Sequence, residues 1–134
     1  MSRTTFLTLA ALIATGVGLL ALVAPATLLV SKGVTPNAAA QVWVREVGAL
    51  LLAVALSAFL VRRHPHSLTM RAFLLGNAVL QFALFPIEIA AYLNGVITSL
   101  MGIVPNSVLH VLLGFGFAYF ATRGEQGLPA DHRG

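Results

Sequence analysis

Cysteine is missing from the 134 residues. Its absence excludes disulfides, thiolate metal sites and a cysteine nucleophile. Charge is also scarce: Asp, Glu, Lys and Arg make up 9% of the chain, whereas soluble domains carry about 25%. No Ser-His-Asp arrangement is visible. His110 has no second His or Cys at ligand spacing, and zinc sites take three or four ligands, so no metal and no cofactor is expected. The GFGFAYF run at 114–120 has no preceding strand and reads as close helix packing rather than a phosphate loop. The net charge of +4 comes mainly from arginines flanking apolar runs, where they set orientation, so a nucleic-acid partner is not expected.

Hydrocarbon is abundant. Hydrophobic residues make up 58% of the chain, and mean hydropathy is +0.92. Such a composition predicts an all-α polytopic membrane protein with one domain, a four-helix bundle joined by short loops. Spans are expected at about 5–30, 36–61, 68–94 and 105–122, with a flexible tail at 124–134. The first run, Phe6 to Val30, exceeds the roughly 7–15 residues of a signal-peptide core, so it is read as an uncleaved span that Pro25 kinks or ends. Ala10, Ala14 and Gly18 form a small-residue stripe on that span, a route to homo- or hetero-oligomers. Thr35-Pro36 resembles a cap followed by proline at the first helical position. Ser67 is expected to cap span 3, and Asn94-Gly95 to end it. Residues 96–104 suit either the first part of a long fourth helix kinked at Pro105 or a short interfacial or re-entrant piece with span 4 starting at Pro105, and the second reading is preferred.

Arg3, Arg62, Arg63, Arg71, Arg123 and Arg133 fall on one side of this arrangement, and Lys32 alone on the other. The positive-inside rule then predicts antiparallel spans with both termini cytoplasmic.

Span 3 carries Asn77, Gln81, Glu88 and Tyr92 on one face. Span 2 carries Gln41, Arg45 and Gly48 on one face, and span 4 carries Asn106, His110 and Gly114. Counted from their outer helix ends at 1.5 Å per residue, Arg45, Glu88 and His110 lie about 13, 9 and 8 Å deep. An intramembrane carboxylate rarely faces lipid, so the three are expected to meet. Glu88, His110 and Arg45 are the candidate catalytic set. Gln41, Glu46, Asn77, Gln81, Tyr92 and Asn106 are candidate ligand contacts, with Glu46 placed about 100° round the helix from Arg45. The same charges also suit a structural ion pair that fixes helix order.

VREVGALLLAVAL in span 2 after a proline turn, a polar stripe in span 3 and LHVLLGFGF in span 4 resemble the DoxX-like group of small bacterial four-helix membrane proteins. The likeness covers about 6–123. It implies the four-helix fold and a place in the bacterial inner membrane. Some members of that group are associated with quinone or thiol redox systems; direct thiol chemistry does not suit a chain without cysteine. The residues themselves suggest a protein that binds a small lipophilic molecule between spans 2–4, or also converts it by isomerisation, cyclisation or epoxide opening. The alternatives are an accessory subunit of a larger membrane complex and, third, a small proton-coupled transporter.

Overall fold

The computed structural model describes residues 1–123. The tail expected at 124–134 lies outside the described residues. Among those described, every regular element is helical.

Helix α1 spans Arg3–Val23 and is capped by Ser2, whose hydroxyl accepts from the Thr5 amide at 3.1 Å. It stops seven residues before the expected Val30, because Pro25 has no amide hydrogen and pushes the preceding residue out of helical geometry. Ala24 accordingly sits at φ −132°, ψ 56°. Proline then occupies the first position of a short helix, α2, Pro25–Ser31. Gly33, at φ +72°, turns the chain after α2, and the Val34 amide closes back on the Leu29 carbonyl at 3.0 Å.

Helix α3 spans Ala38–Val61. Its cap is Asn37 rather than the expected Thr35, because the Asn37 carboxamide satisfies the Ala40 amide at 2.8 Å. Helix α4 spans Leu68–Leu93, with Ser67 capping the Met70 amide at 3.1 Å. Asn94 caps its other end and Gly95, at φ +70°, follows. Helix α5 spans Leu100–Thr122. The expected start at Pro105 is corrected: the helix runs through that proline. Proline there removes one amide donor from the helix, a cost the remaining turns carry. Ser99 caps α5 by accepting from the Gly102 amide at 3.2 Å.

Four of these helices, α1, α3, α4 and α5, are long and apolar enough to cross a membrane. Large apolar side chains such as Leu12, Leu50, Leu112 and Phe115 point outward on them. So much outward hydrocarbon fits a multi-pass membrane protein, with lipid taking the place of water.

The helices pack as two hairpins, α1 along α3 and α4 along α5. Glycine sets the first contact: a Cβ on Gly48 would lie 2.8 Å from the Gly18 carbonyl oxygen. At the end holding residues 3–6, the Thr4 hydroxyl donates to the Arg62 carbonyl at 3.1 Å, and the Arg3 guanidinium donates to the His64 carbonyl. The hairpins join there through a core of Phe6, Leu7, Met70, Leu74, Phe117 and Ala121. Phe6 meets the Phe117 ring edge-on, with centroids 4.9 Å apart. At the opposite end the Thr98 and Ser99 amides donate to the Lys32 carbonyl, both at 3.2 Å. Pinned at both ends, the hairpins stand apart between them.

The small-residue stripe of α1 is used within the chain. Gly18 meets α3, Ala10 is buried in the core, and Ala14 faces the space between the hairpins.

Candidate functional site

That space is a cavity of about 350 Å³, within the size range of small-molecule sites. Its walls are mostly aliphatic. Ala14 and Val17 come from α1, Val47 and Val54 from α3, Leu84 from α4 and Leu109 from α5. Trp43, the single tryptophan, lines it as well and is 67% exposed, so it stands at the rim. Polar groups gather at the Lys32 end, where Lys32, Gln81, Glu88, Asn106 and His110 reach the wall. Asn77 lies one turn further in.

Each polar group is held by a local feature. Pro25 redirects the chain so that α2 delivers Lys32 over the end of the cavity. The Thr98 hydroxyl donates to the Gly33 carbonyl at 2.8 Å, which fixes the turn against the start of α5. Gly102 makes the approach possible: a Cβ there would lie 2.5 Å from the Ser31 carbonyl oxygen. Glu88 follows Pro86 on α4. Asn106, Ser107 and His110 share one face of α5, at i, i+1 and i+4.

The bonds form one chain. Lys32 Nζ donates to Glu88 Oε1 at 2.6 Å. Asn106 Nδ2 donates to the same oxygen at 2.6 Å and contacts His110 Nε2 at 3.0 Å. Ser107 Oγ donates to Glu88 Oε2 at 3.3 Å. His110 Nδ1 lies 2.6 Å from Gln81 Oε1. One assignment of protons satisfies all of them. A carboxylate only accepts, so Asn106 presents its NH2 group to Glu88, and its second hydrogen points to His110. Nε2 is then the acceptor, and Nδ1 carries the proton given to Gln81. In this assignment His110 is neutral, and Lys32 and Glu88 form the ion pair of the cluster.

Of the residues singled out in the sequence, Asn77, Gln81, Glu88, Asn106 and His110 come together. Arg45 does not. It is exposed on α3, lines no part of the cavity, and pairs with no carboxylate among the described residues. The expected Arg45–Glu88–His110 convergence is corrected to Lys32–Glu88–Asn106–His110. The reason is rotational. Gly48 is committed to the contact with α1, which turns the Val44, Val47, Leu51 and Val54 face of α3 to the cavity and carries Arg45 round toward the outside. Glu46 is also exposed, and it pairs with neither Arg45 nor His110. Gln41 and Tyr92 are half-buried but do not line the cavity.

Lys32 and Ser107 were not singled out as site residues. The signal for Lys32 was present: it is the lone basic residue on its side of the spans, opposite the lone acid of span 3. What conceals it is the place of Lys32 in the sequence, in a short turn after the first apolar run: a kink at Pro25 does not by itself say that the following segment, α2, folds back over the end of the bundle. Ser107 carries no signal of its own beyond its place between Asn106 and His110.

Comparison with family models, with characterised proteins and with solved structures finds no match for the chain.

Proposed function

We propose that this is a bacterial inner-membrane protein that binds a small lipophilic molecule between its two hairpins. One observation carries the reading: a cavity of about 350 Å³ with aliphatic walls ends in a hydrogen-bonded polar cluster. An apolar body gains by filling such walls, and a few polar groups at one end fix its orientation. In this reading both termini are cytoplasmic and the spans alternate in direction, which puts Lys32 and Glu88 in the outer half of the membrane. Where the bound molecule is also converted, Glu88 and His110, bridged by Asn106, are the groups placed to exchange protons with it. The resemblance to the DoxX-like group belongs to the same proposal and rests on the span 2 and span 4 motifs.

The test is native mass spectrometry of protein extracted in mild detergent. Wild type is expected to retain one non-phospholipid molecule per chain. Ala14→Phe, which fills the cavity from α1, is expected to fold and to lose it. Equal retention by both would place the molecule elsewhere, and no retention by either would remove support for a resident ligand.

A structural role is the second reading, because the Lys32–Glu88 pair ties one hairpin to the other. Glu88→Gln separates the two. A folded, abundant variant that no longer holds the molecule favours the binding site, and a variant that fails to accumulate favours the fastening.

A further inference from the structure

The cavity contains two polar atoms that the chain itself leaves unused. Gln81 and Asn77 are buried, 9% and 8% exposed, and both line the wall. Gln81 accepts from His110 through Oε1, and its Nε2 donor has no partner among the described residues. Asn77 gives its Nδ2 hydrogen to the Phe73 carbonyl of its own helix at 2.9 Å, and its Oδ1 acceptor has no partner among the described residues either. Neither atom is sealed inside the protein, and both residues line the cavity. The two residues sit one turn apart on α4, a rise of about 6 Å. A donor and an acceptor left unpaired beside apolar walls carry a desolvation cost that a polar ligand head would remove.

Charge narrows the class of ligand. Lys32 and Glu88 neutralise each other at 2.6 Å, Arg45 is turned outward, and His110 has both nitrogens engaged. No uncompensated charge on the wall remains to hold an anion or a cation, and transferring an unpaired ion into such surroundings is costly.

We infer that the ligand is an uncharged, oxygen-headed amphiphile, of which a long-chain alcohol is the simplest form. Its oxygen accepts from Gln81 Nε2, its hydroxyl hydrogen goes to Asn77 Oδ1, and its hydrocarbon lies along Val17, Val54, Leu84 and Leu109. This rests on the cavity being a binding site, and the test is chosen so that the two ideas fail separately.

The probes are tritiated dodecan-1-ol, dodecanoate and dodecyltrimethylammonium. Each is titrated into lipid nanodiscs carrying the full chain and into empty nanodiscs, at a pH where dodecanoate is ionised. The alcohol is expected to show saturable excess binding of about one per chain, with each charged probe weaker by about tenfold or more. Asn77→Leu leaves the Lys32–Glu88 pair and the His110 bonds in place and is expected to weaken alcohol binding about fivefold or more. Glu88→Gln leaves Lys32 uncompensated and is expected to reverse the preference toward dodecanoate. If Glu88→Gln does not fold, the three-probe comparison on wild type and Asn77→Leu still decides. Saturable binding of either charged probe as tight as that of the alcohol overturns the inference and leaves the cavity reading standing. Unchanged alcohol binding in Asn77→Leu overturns the head-group assignment. No saturable binding of any probe overturns the cavity reading and the inference with it.

Discussion

At the scale of single residues, the site turns on which cation meets Glu88. Arg45 has a plausible depth, and depth is what a sequence yields readily. Azimuth is harder, because it depends on which face of α3 a neighbouring helix claims. Gly48 settles that by meeting Gly18, a contact between small residues whose pairing no local pattern announces. Asn77, Gln81, Glu88, Asn106 and His110 were legible because polar side chains at helical spacing inside apolar runs have nowhere to go but inward. The two cations should respond differently to substitution. Lys32→Met leaves Glu88, 12% exposed at its side chain, facing the cavity without its cation, and is expected to cost about 1–3 kcal/mol, reduced by the partial exposure of both partners. Arg45→Met is expected to stay within about 0.5 kcal/mol of wild type, as an exposed position without a partner. Reversible unfolding in mixed micelles measures both. A larger loss for Arg45→Met than for Lys32→Met would reverse the assignment.

At the scale of elements, two prolines behave in opposite ways. Pro25 ends α1, and Pro105 is carried inside α5. The difference lies in what each neighbour needs. After Pro25 the chain must bend to bring Lys32 over the cavity, and α2 starts with proline at its first position. Near Pro105 the start of α5 is already set by the Ser99 cap and by the Thr98 and Ser99 amides on the Lys32 carbonyl. The helix boundaries at Ser67 and Asn94-Gly95 were legible because capping is local chemistry. The boundary at Leu100 was less legible, because Pro105-Asn106 offers a competing helix start and the Ser99 cap acts together with a tertiary latch. Replacing Pro25 tests the bend. Pro25→Ala restores an amide donor and a compatible ring-free backbone, so α1 and α2 are expected to fuse into one straighter helix. Circular dichroism should show a small gain in helix. The thermal midpoint should fall as Lys32 is drawn away from Glu88. A raised midpoint would mean that the bend is not needed to place Lys32.

At the scale of the whole molecule, the count of four spanning helices was legible from hydropathy alone. The cavity was not. It exists because α1 pairs with α3 and α4 with α5, while the hairpins touch mainly at an aromatic core and at the Lys32 latch. Pairing of this kind is a property of all the helices together. The proposed orientation is open to a simple check, since the chain has no native cysteine to interfere with single-cysteine labelling. Val96→Cys is expected to react with an impermeant maleimide in intact cells, and His64→Cys only after permeabilisation. The reverse pattern would invert the topology and move the polar cluster to the cytoplasmic half.

The most direct measurement of the cavity itself is methyl NMR on selectively labelled protein in nanodiscs with deuterated lipid and protonated dodecan-1-ol. A molecule lodged between the hairpins should give nuclear Overhauser contacts from its chain to the methyls of Val17, Val54, Leu84 and Leu109. Contacts running instead from Val17 or Val54 directly to Leu84 or Leu109, with none to the alcohol, would show the hairpins closed on each other and leave no site to fill.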